Sequence, residues 1–192
     1  MALLDLLRHP VAAAFIFLAL WLDGSFYPLL LLPLVYVWVL DPNRLSSLGF
    51  GKKGFLSSVI WGLLGLGIVV PTWLLIWVAY GGWDASAGGF LEMLRDFVWY
   101  PIYEEVAYRG FFLSRLGPFL KRKWVANVAQ AALFASVHHH YAQAGMPLRI
   151  LPAFVLGLVT GVIFLKTRNL TGCLICHAIA NVIASAILVL WL

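Results

Sequence analysis

Charged residues are scarce in this chain of 192 residues: aspartate, glutamate, lysine and arginine together make up 11% of it. Soluble domains carry about 25% charged residues. Hydrophobic residues make up 63% of the chain, and the mean hydropathy is +0.95. This composition excludes an ordinary soluble protein. It indicates an integral membrane protein, and its length predicts a single transmembrane helical domain over 1–192.

The sequence also lacks several motifs that identify hydrolases. It has no G-x-S-x-G elbow and no apolar segment with a serine in register with a base, which disfavours a serine mechanism. It has no H-E-x-x-H, the helical motif that presents two zinc ligands and a general base. The two cysteines, Cys173 and Cys176, lie inside an apolar segment and therefore say little about the redox compartment.

Seven apolar segments, separated by turn or charge clusters, predict a bundle of about seven transmembrane helices. They run over 10–22, 26–40, 56–80, 91–115, 124–141, 148–166 and 171–192. The first two are short, so a single re-entrant pair is an alternative there. The predicted fold is an all-α polytopic membrane protein with its motif-bearing core at 91–192.

Basic residues are distributed unevenly over the loops of this predicted bundle. With the N-terminus inside, Arg149 is the basic residue of the outer loops, and Arg95 and Arg109 lie within the fourth segment. The other lysines and arginines fall in inner loops: Arg8, Arg44, Lys52, Lys53, Arg115, Lys121, Arg122, Lys123, Lys166 and Arg168. Cytoplasmic loops are the basic ones, so we expect the N-terminus inside and the C-terminus outside. The net charge of +5 then reflects orientation rather than a nucleic-acid partner.

Residues 173–177 fit C-x-x-C-H, the attachment pattern of c-type haem. Haem attachment takes place on the outer side, whereas Lys166 and Arg168 place this end of the seventh segment inside. We therefore expect no haem. Cys173 and Cys176 are predicted to be small apolar packing residues.

Residues 103–110, Tyr-Glu-Glu-Val-Ala-Tyr-Arg-Gly, form a charged stretch inside the fourth segment. Ionisable groups at bilayer depth cost at least ~2.5–3.5 kcal/mol on insertion scales and usually mark a functional site. On a helix, Glu105 and Arg109 share a face and can pair. Glu104 lies about 100° away and has no basic residue in register. Two interpretations are open: a structural ion pair between helices, or a free carboxylate held for chemistry beside an anchored one.

Two further segments carry polar residues at helical spacing. The fifth contains Phe134 and His138, and the seventh contains His177 and Asn181, each pair four residues apart. Carboxylate, imidazole and amide groups together form a hydrolytic set. A carboxylate can deprotonate water, an imidazole can relay the proton, and a second imidazole with an amide can stabilise an oxyanion. Because a lone intramembrane histidine is more often only an interhelical hydrogen bond, this interpretation requires the three segments to meet.

Together these motifs resemble those of the CAAX protease and bacteriocin-processing (Abi) family of intramembrane proteases, which includes the Rce1-like endopeptidases. The matching residues are Glu104, Glu105 and Arg109 for E-E-x-x-x-R, Phe134 and His138 for F-x-x-x-H, and His177 and Asn181 for H-x-x-x-N. The motifs occur in the family's order, each on a separate predicted helix. The resemblance covers 104–181, and residues 1–90 carry no signature of the family.

What the resemblance implies is a glutamate-dependent intramembrane endopeptidase. Glu104 would activate water together with His138. His177 and Asn181 would stabilise the oxyanion. The supporting residues that hold the shape of the site would be Glu105, Arg109 and Phe134.

Zinc is the alternative to a metal-free mechanism, because the family was long described as one of metalloproteases. His138, His177 and Glu104 would then supply three protein ligands, with water as the fourth. Since the chain lacks H-E-x-x-H, we expect no cofactor.

The expected partners are the lipid bilayer and a membrane-associated protein or peptide substrate, cleaved near the membrane boundary. The substrate class is a C-terminal sorting signal, a leader, or a lipid-modified C-terminus, and the short chain favours an enzyme of the prokaryotic cytoplasmic membrane. The alternative function is non-enzymatic: a membrane scaffold, an immunity factor or a small transporter. A transporter would more readily show two related halves with broken helices, and the sequence has no internal repeat.

Overall fold

All regular secondary structure in the described part of the chain is helical. The computed structural model describes residues 31–41, 43–79, 95–139 and 147–189. Its α-helices are α1 (Leu31–Leu40), α2 (Phe55–Ala79), α3 (Tyr100–Glu104), α4 (Lys123–Ser136), α5 (Ile150–Thr167) and α6 (Thr171–Val189). No strand occurs in these residues, which confirms the all-helical fold class.

Two π-helical segments, Arg95–Trp99 and Glu105–Leu116, flank α3. Residues 95–116 therefore form a continuous helical stretch whose hydrogen-bond pattern changes on both sides of α3. Pro101, at the start of α3, has no N–H to donate, so an α-helical hydrogen bond is missing just before the charged stretch. π-Helical turns are rare and occur frequently at functional sites. Short 3₁₀-helices span Arg44–Leu48, Gly117–Leu120 and Pro147–Arg149.

The helices follow the predicted segments where the structure describes them. α2 and α5 begin and end within two residues of the predictions, and α6 begins at the predicted Thr171. α4 ends at Ser136, before the predicted end at 141, because residues 137–139 form a turn. The predicted segment at 10–22 lies outside the described residues, as does the start of the one at 26–40. The total of seven helices and the orientation of the termini stay predictions.

Two helices of the described residues are long and apolar enough to cross a membrane. They are Phe55–Ile76 in α2 and Ile150–Thr167, which is α5; a further apolar stretch, Thr171–Ile183, is shorter. α2 carries a row of exposed aliphatic side chains at helical spacing, which are Leu56, Ile60, Leu64, Ile68 and Leu75. A helix that remains apolar on its outer face is suited to contact with lipid.

α2 and α6 approach each other closely where each has a glycine. A Cβ atom on Gly62 would lie 2.7 Å from the Cα of Gly172, and one on Gly172 would collide with the carbonyl group of Ser58. The Ser58 hydroxyl accepts a hydrogen bond from the Gly172 N–H at 2.8 Å and donates one to the Asn169 carbonyl at 2.9 Å. Small residues that let backbones meet are typical of membrane helix pairs. The contact fixes the start of α6 and therefore the position of His177, just over one turn later.

α4 and α5 are joined by side-chain amides. Gln130 Nε2 donates to the Gly157 carbonyl at 2.7 Å and to Asn127 Oδ1 at 2.8 Å. Asn127 Nδ2 donates to the Leu158 carbonyl at 3.0 Å. Polar groups that bond across helices in this way stabilise membrane bundles. Because Gln130 and Phe134 are four apart, this contact also directs Phe134 towards the interior.

The longer π-helical segment, Glu105–Leu116, is anchored at its C-terminal end. Arg115 pairs with Asp41 and donates to the Ser47 hydroxyl at 2.5 Å. Although burial raises the pKa of Asp41, the Asn43 backbone N–H, the Ser47 hydroxyl and the Arg115 guanidinium outweigh it, so this pKa lies below its ordinary value. These contacts hold the segment against the loop that follows α1.

The glycine contact between α2 and α6 gives a first prediction. Gly172→Ala and Gly62→Ala force the two backbones apart and should each lower the free energy of unfolding by ~1–3 kcal/mol, the usual cost of overpacking. The measurement is thermal unfolding of the purified protein in detergent. Gly67→Ala is the matched control, because a Cβ there meets nothing within 4 Å. Equal melting temperatures for all three variants would contradict the role of this contact.

Candidate active site

Glu105 and Arg109 form a fully buried ion pair. Both side chains are 0% exposed, and Arg109 Nη1 lies 3.2 Å from Glu105 Oε1. This is the pairing that the i, i+4 spacing predicts. The guanidinium makes no hydrogen bond within the described part of the chain, so the contact is electrostatic rather than a well-aligned hydrogen bond. The arginine carbon Cζ lies 4.7 Å from the ring centre of Phe134 and 5.9 Å from that of Tyr108, and such aromatic faces attract the cation.

His177 of α6 lies between the two glutamates. Its Nδ1 is 2.8 Å from Glu105 Oε1, and its Nε2 is 3.4 Å from Glu104 Oε2. The first distance is that of a hydrogen bond, and the second is slightly longer than the usual range. The imidazole side chain is 4% exposed and the Glu104 side chain 12% exposed. The polar groups of the fourth and seventh predicted segments therefore meet in one buried cluster.

The position of Glu104 differs from the sequence expectation of a carboxylate without a partner. Both glutamates contact the same imidazole, although neighbouring residues on an α-helix diverge by about 100°. Glu104 ends α3 and Glu105 begins the π-helical segment. The shared contact comes from the position of α6, because His177 lies between the two side chains. The spacing of residues within one helix cannot reveal such a partner.

Phe134 of α4 lies at the centre of the cluster. Its ring centre is 5.0 Å from that of His138, 5.9 Å from that of His177 and 5.2 Å from that of Tyr108, each time edge to face. Together with its contact to the Arg109 cation, the ring touches groups from three parts of the chain. The sequence indicated Phe134 as a supporting residue through the motif alone. The packing shows what its ring contacts.

His138 is partly buried in the turn that ends α4. Its Nδ1 lies 2.9 Å from the Phe134 carbonyl oxygen. A carbonyl only accepts hydrogen bonds, so Nδ1–H is the donor; in the neutral form of the ring the lone pair is then on Nε2. The ring of Phe134 connects His138 to His177.

Asn181 follows His177 by one turn of α6 and is partly buried. With Glu104, Glu105, Arg109, Phe134, His138 and His177, it completes the set of predicted site residues, and all of them are among the residues that the structure describes. Direct contacts join Glu104, Glu105, Arg109 and His177. Sequence reasoning did not foresee that His177 would contact both carboxylates.

Tyr103 and Tyr108 belong to the surroundings of the site, although the sequence analysis gave them no role. Both side chains are 1% exposed. The signal that could have indicated Tyr108 is its position directly before Arg109, because a tyrosine beside an intramembrane cation can offer its ring face.

The two cysteines are free thiols and fully buried. Cys173 Sγ donates to the Thr160 carbonyl at 3.2 Å, across the contact between α6 and α5. These residues therefore pack between the helices, as the sequence predicts. The absence of haem stays a prediction.

Within the described ranges, no group of three or more histidine, cysteine or acidic side chains is arranged to hold a metal ion. The arrangement can instead hold and move protons. The Glu104 carboxylate, at the edge of the cluster, lies next to the His177 imidazole. The imidazole in turn contacts Glu105, which is paired with the buried Arg109. Carboxylate–imidazole contacts of this kind control which ring nitrogen carries a proton.

A comparison with protein-family models matches residues 86–183 to the Rce1-like family, described as type II CAAX prenyl endopeptidase, Rce1-like. The matched region is just over half of the chain and contains every residue of the predicted site. No curated protein and no solved structure matches the chain.

The buried ion pair gives a second prediction. Glu105→Gln or Arg109→Met removes one partner of the buried pair and should lower the free energy of unfolding by ~3–5 kcal/mol, the usual cost of breaking such a pair. Thermal unfolding in detergent measures the loss. Glu104→Gln, an isosteric change one residue earlier, is the control and should melt close to the unchanged protein.

The double variant Glu105→Gln/Arg109→Met tests the reason for this loss. Because it removes both charges, it should be more stable than the sum of the two single losses predicts. Strictly additive losses would contradict an electrostatic pairing of the two side chains.

Proposed function

Because the chain belongs to the Rce1-like family of type II CAAX prenyl endopeptidases, a protease family of membrane proteins, we propose that it hydrolyses peptide bonds within the membrane by a glutamate-activated water. The observation that carries this proposal is the pairing of Glu104, at the edge of the cluster, with His177 at 3.4 Å. Glu104 is the general base, and Glu105 with Arg109 keeps the neighbouring charges in place.

In the proposed reaction, Glu104 takes a proton from water while the water oxygen attacks the scissile carbonyl carbon. The carbonyl oxygen becomes an oxyanion, which His177 and Asn181 stabilise by hydrogen bonds. When the C–N bond breaks, the leaving amine receives the proton, with His138 as the relay. The lone pair on His138 Nε2, implied by the Nδ1 hydrogen bond to Phe134, supports this role.

The proposed setting is a single domain over 1–192 with about seven transmembrane helices in a prokaryotic cytoplasmic membrane. The N-terminus is inside and the C-terminus outside. Exposed basic residues on two contacting loops support this orientation. One loop carries Lys52 and Lys53, and the other carries Arg168. The loops are joined by Asn169, which donates to the Lys53 carbonyl.

The proposed substrate is a membrane-associated protein or peptide cleaved near the membrane boundary. It carries a C-terminal sorting signal, a leader or a lipid-modified C-terminus. A site enclosed by apolar helices suits a substrate delivered by the bilayer, and no nucleic acid takes part.

A third prediction tests the role of Glu104. Glu104→Gln keeps the shape of the side chain but cannot take a proton from water, so turnover should fall by ~10²–10⁴-fold, the usual contribution of a general base. Cells lacking this chain are complemented with each variant, and their membrane proteins are compared by intact mass. A prenylated C-terminal peptide in proteoliposomes serves as the in vitro probe.

Glu104→Asp is the matched control, because it shortens the side chain and keeps the carboxylate. It should retain measurable cleavage. Full activity of Glu104→Gln at an unchanged melting temperature would contradict the mechanism. If neither the unchanged chain nor any variant cleaves a substrate, a non-enzymatic membrane protein is favoured.

The proposed mechanism needs no metal, and this gives a fourth prediction. Cleavage should survive exhaustive dialysis against a chelator, and the purified protein should contain no stoichiometric zinc by elemental analysis. Loss of cleavage on chelation, with recovery on addition of zinc, would instead assign Glu104, His138 and His177 as ligands.

A further inference from the structure

The contact between Glu105 and His177 determines which ring nitrogen carries a proton. Glu105 is the anion of the pair with Arg109, and an ionised carboxylate only accepts hydrogen bonds. The 2.8 Å separation between Glu105 Oε1 and His177 Nδ1 is therefore a hydrogen bond that Nδ1–H donates. The opposite nitrogen, Nε2, faces Glu104 Oε2 at 3.4 Å.

The formal charges around this ring do not balance without a further proton. Arg109 contributes a single positive charge, whereas Glu104 and Glu105 contribute two negative charges when both are ionised. The ring is almost fully buried, and an uncompensated charge removed from water is costly. A proton held between His177 Nε2 and Glu104 makes the cluster neutral.

Charged residues on the other elements leave this balance unchanged. The segment Arg95–Trp99, which packs against α6, carries Arg95 and Asp96, whose formal charges cancel. α2 contains no charged residue, and the charged residue of α5 is Lys166 in its last turn. The ring of Phe134 lies between His177 and His138. Further titratable side chains near the site, among the described residues, include Cys173, Cys176, Tyr103, Tyr108 and His138.

We propose that Glu105 is a positioning residue, which locks His177 with a proton on Nδ1 and thereby assigns one exchangeable proton to the pair formed by His177 Nε2 and Glu104. When that proton is on Nε2, Glu104 is ionised and can accept a proton from water. The Nε2–H group is then a donor for an oxyanion. This assignment deepens the proposed function, and its catalytic consequence rests on that function. The position of the proton on the ring does not, because it is measured without substrate.

The experiment compares the isosteric variants Glu104→Gln and Glu105→Gln by nitrogen-15 NMR of the full chain, labelled at histidine and held in lipid nanodiscs. The signals of His177 are those that disappear in His177→Gln. Protonated and unprotonated ring nitrogens have well-separated resonances, so the tautomer is observed directly.

In Glu104→Gln, His177 should be neutral with its proton on Nδ1, because Glu105 still accepts it. In Glu105→Gln, the ionised acceptor that remains is Glu104, so the proton should move to Nε2. The two ring nitrogens of His177 should therefore exchange their resonance positions between the variants. The same tautomer in both variants would overturn the proposal, since a purely structural role of Glu105 lowers stability without moving this proton.

The unchanged protein supplies a second measurement that needs no variant of the ion pair to fold. Its His177 Nδ1 should carry a proton at neutral pH. An unprotonated Nδ1 would overturn the proposal. Because no step of this measurement requires cleavage, a protein with the expected tautomers and no protease activity would contradict the proposed function alone.

Discussion

A guanidinium buried among apolar helices is the constraint on which the rest of the site depends. Removing such an ion from water costs several kcal/mol even after relaxation, so the surrounding chain must offset its charge. The Glu105 carboxylate lies 3.2 Å from the Arg109 guanidinium, and the rings of Tyr108 and Phe134 lie against the same cation. Since one of these rings belongs to Phe134, α4 must lie against the π-helical segment. Since the carboxylate also reaches His177, α6 must lie there as well. One charge thus ties together the three elements that carry the predicted site residues.

The scaffold around this charge is held by hydrogen bonds that cross from one helix to the next. Side chains on neighbouring helices donate to backbone carbonyls, as Gln130 does to Gly157, Ser58 to Asn169 and Cys173 to Thr160. In an apolar environment an unsatisfied polar group is expensive, so each such bond specifies one relative position of two helices. Gly62 and Gly172 add close contact of the backbones themselves. This rigidity is what a site needs if a carboxylate and an imidazole must stay within about 3 Å of each other.

The irregular helix at the centre also has a physical cause and a consequence. Pro101 removes a backbone donor, and the chain continues as a π-helix from Glu105. The two consecutive glutamates at this junction, Glu104 and Glu105, contact one ring, that of His177. A proton can then be shared by one glutamate while the other holds the ring in place, so adjacent residues of the same type have different tasks.

The amino-acid sequence by itself determined the helical class, the bounds of α2 and α5, the start of α6, the pairing of Glu105 with Arg109, and the family. Each of these depends on local quantities: hydropathy over a helix length, spacing of four residues, or motif order along the chain. Only the tertiary structure decided that His177 lies between both glutamates, that Phe134 contacts Arg109 and two histidines, and that Glu104 is not isolated. Those facts depend on the relative height and rotation of separate helices. The relative height of the helices is set by the contact of Gly62 with Gly172 and by the amide bonds of Gln130. Periodicity within one segment cannot reveal these contacts.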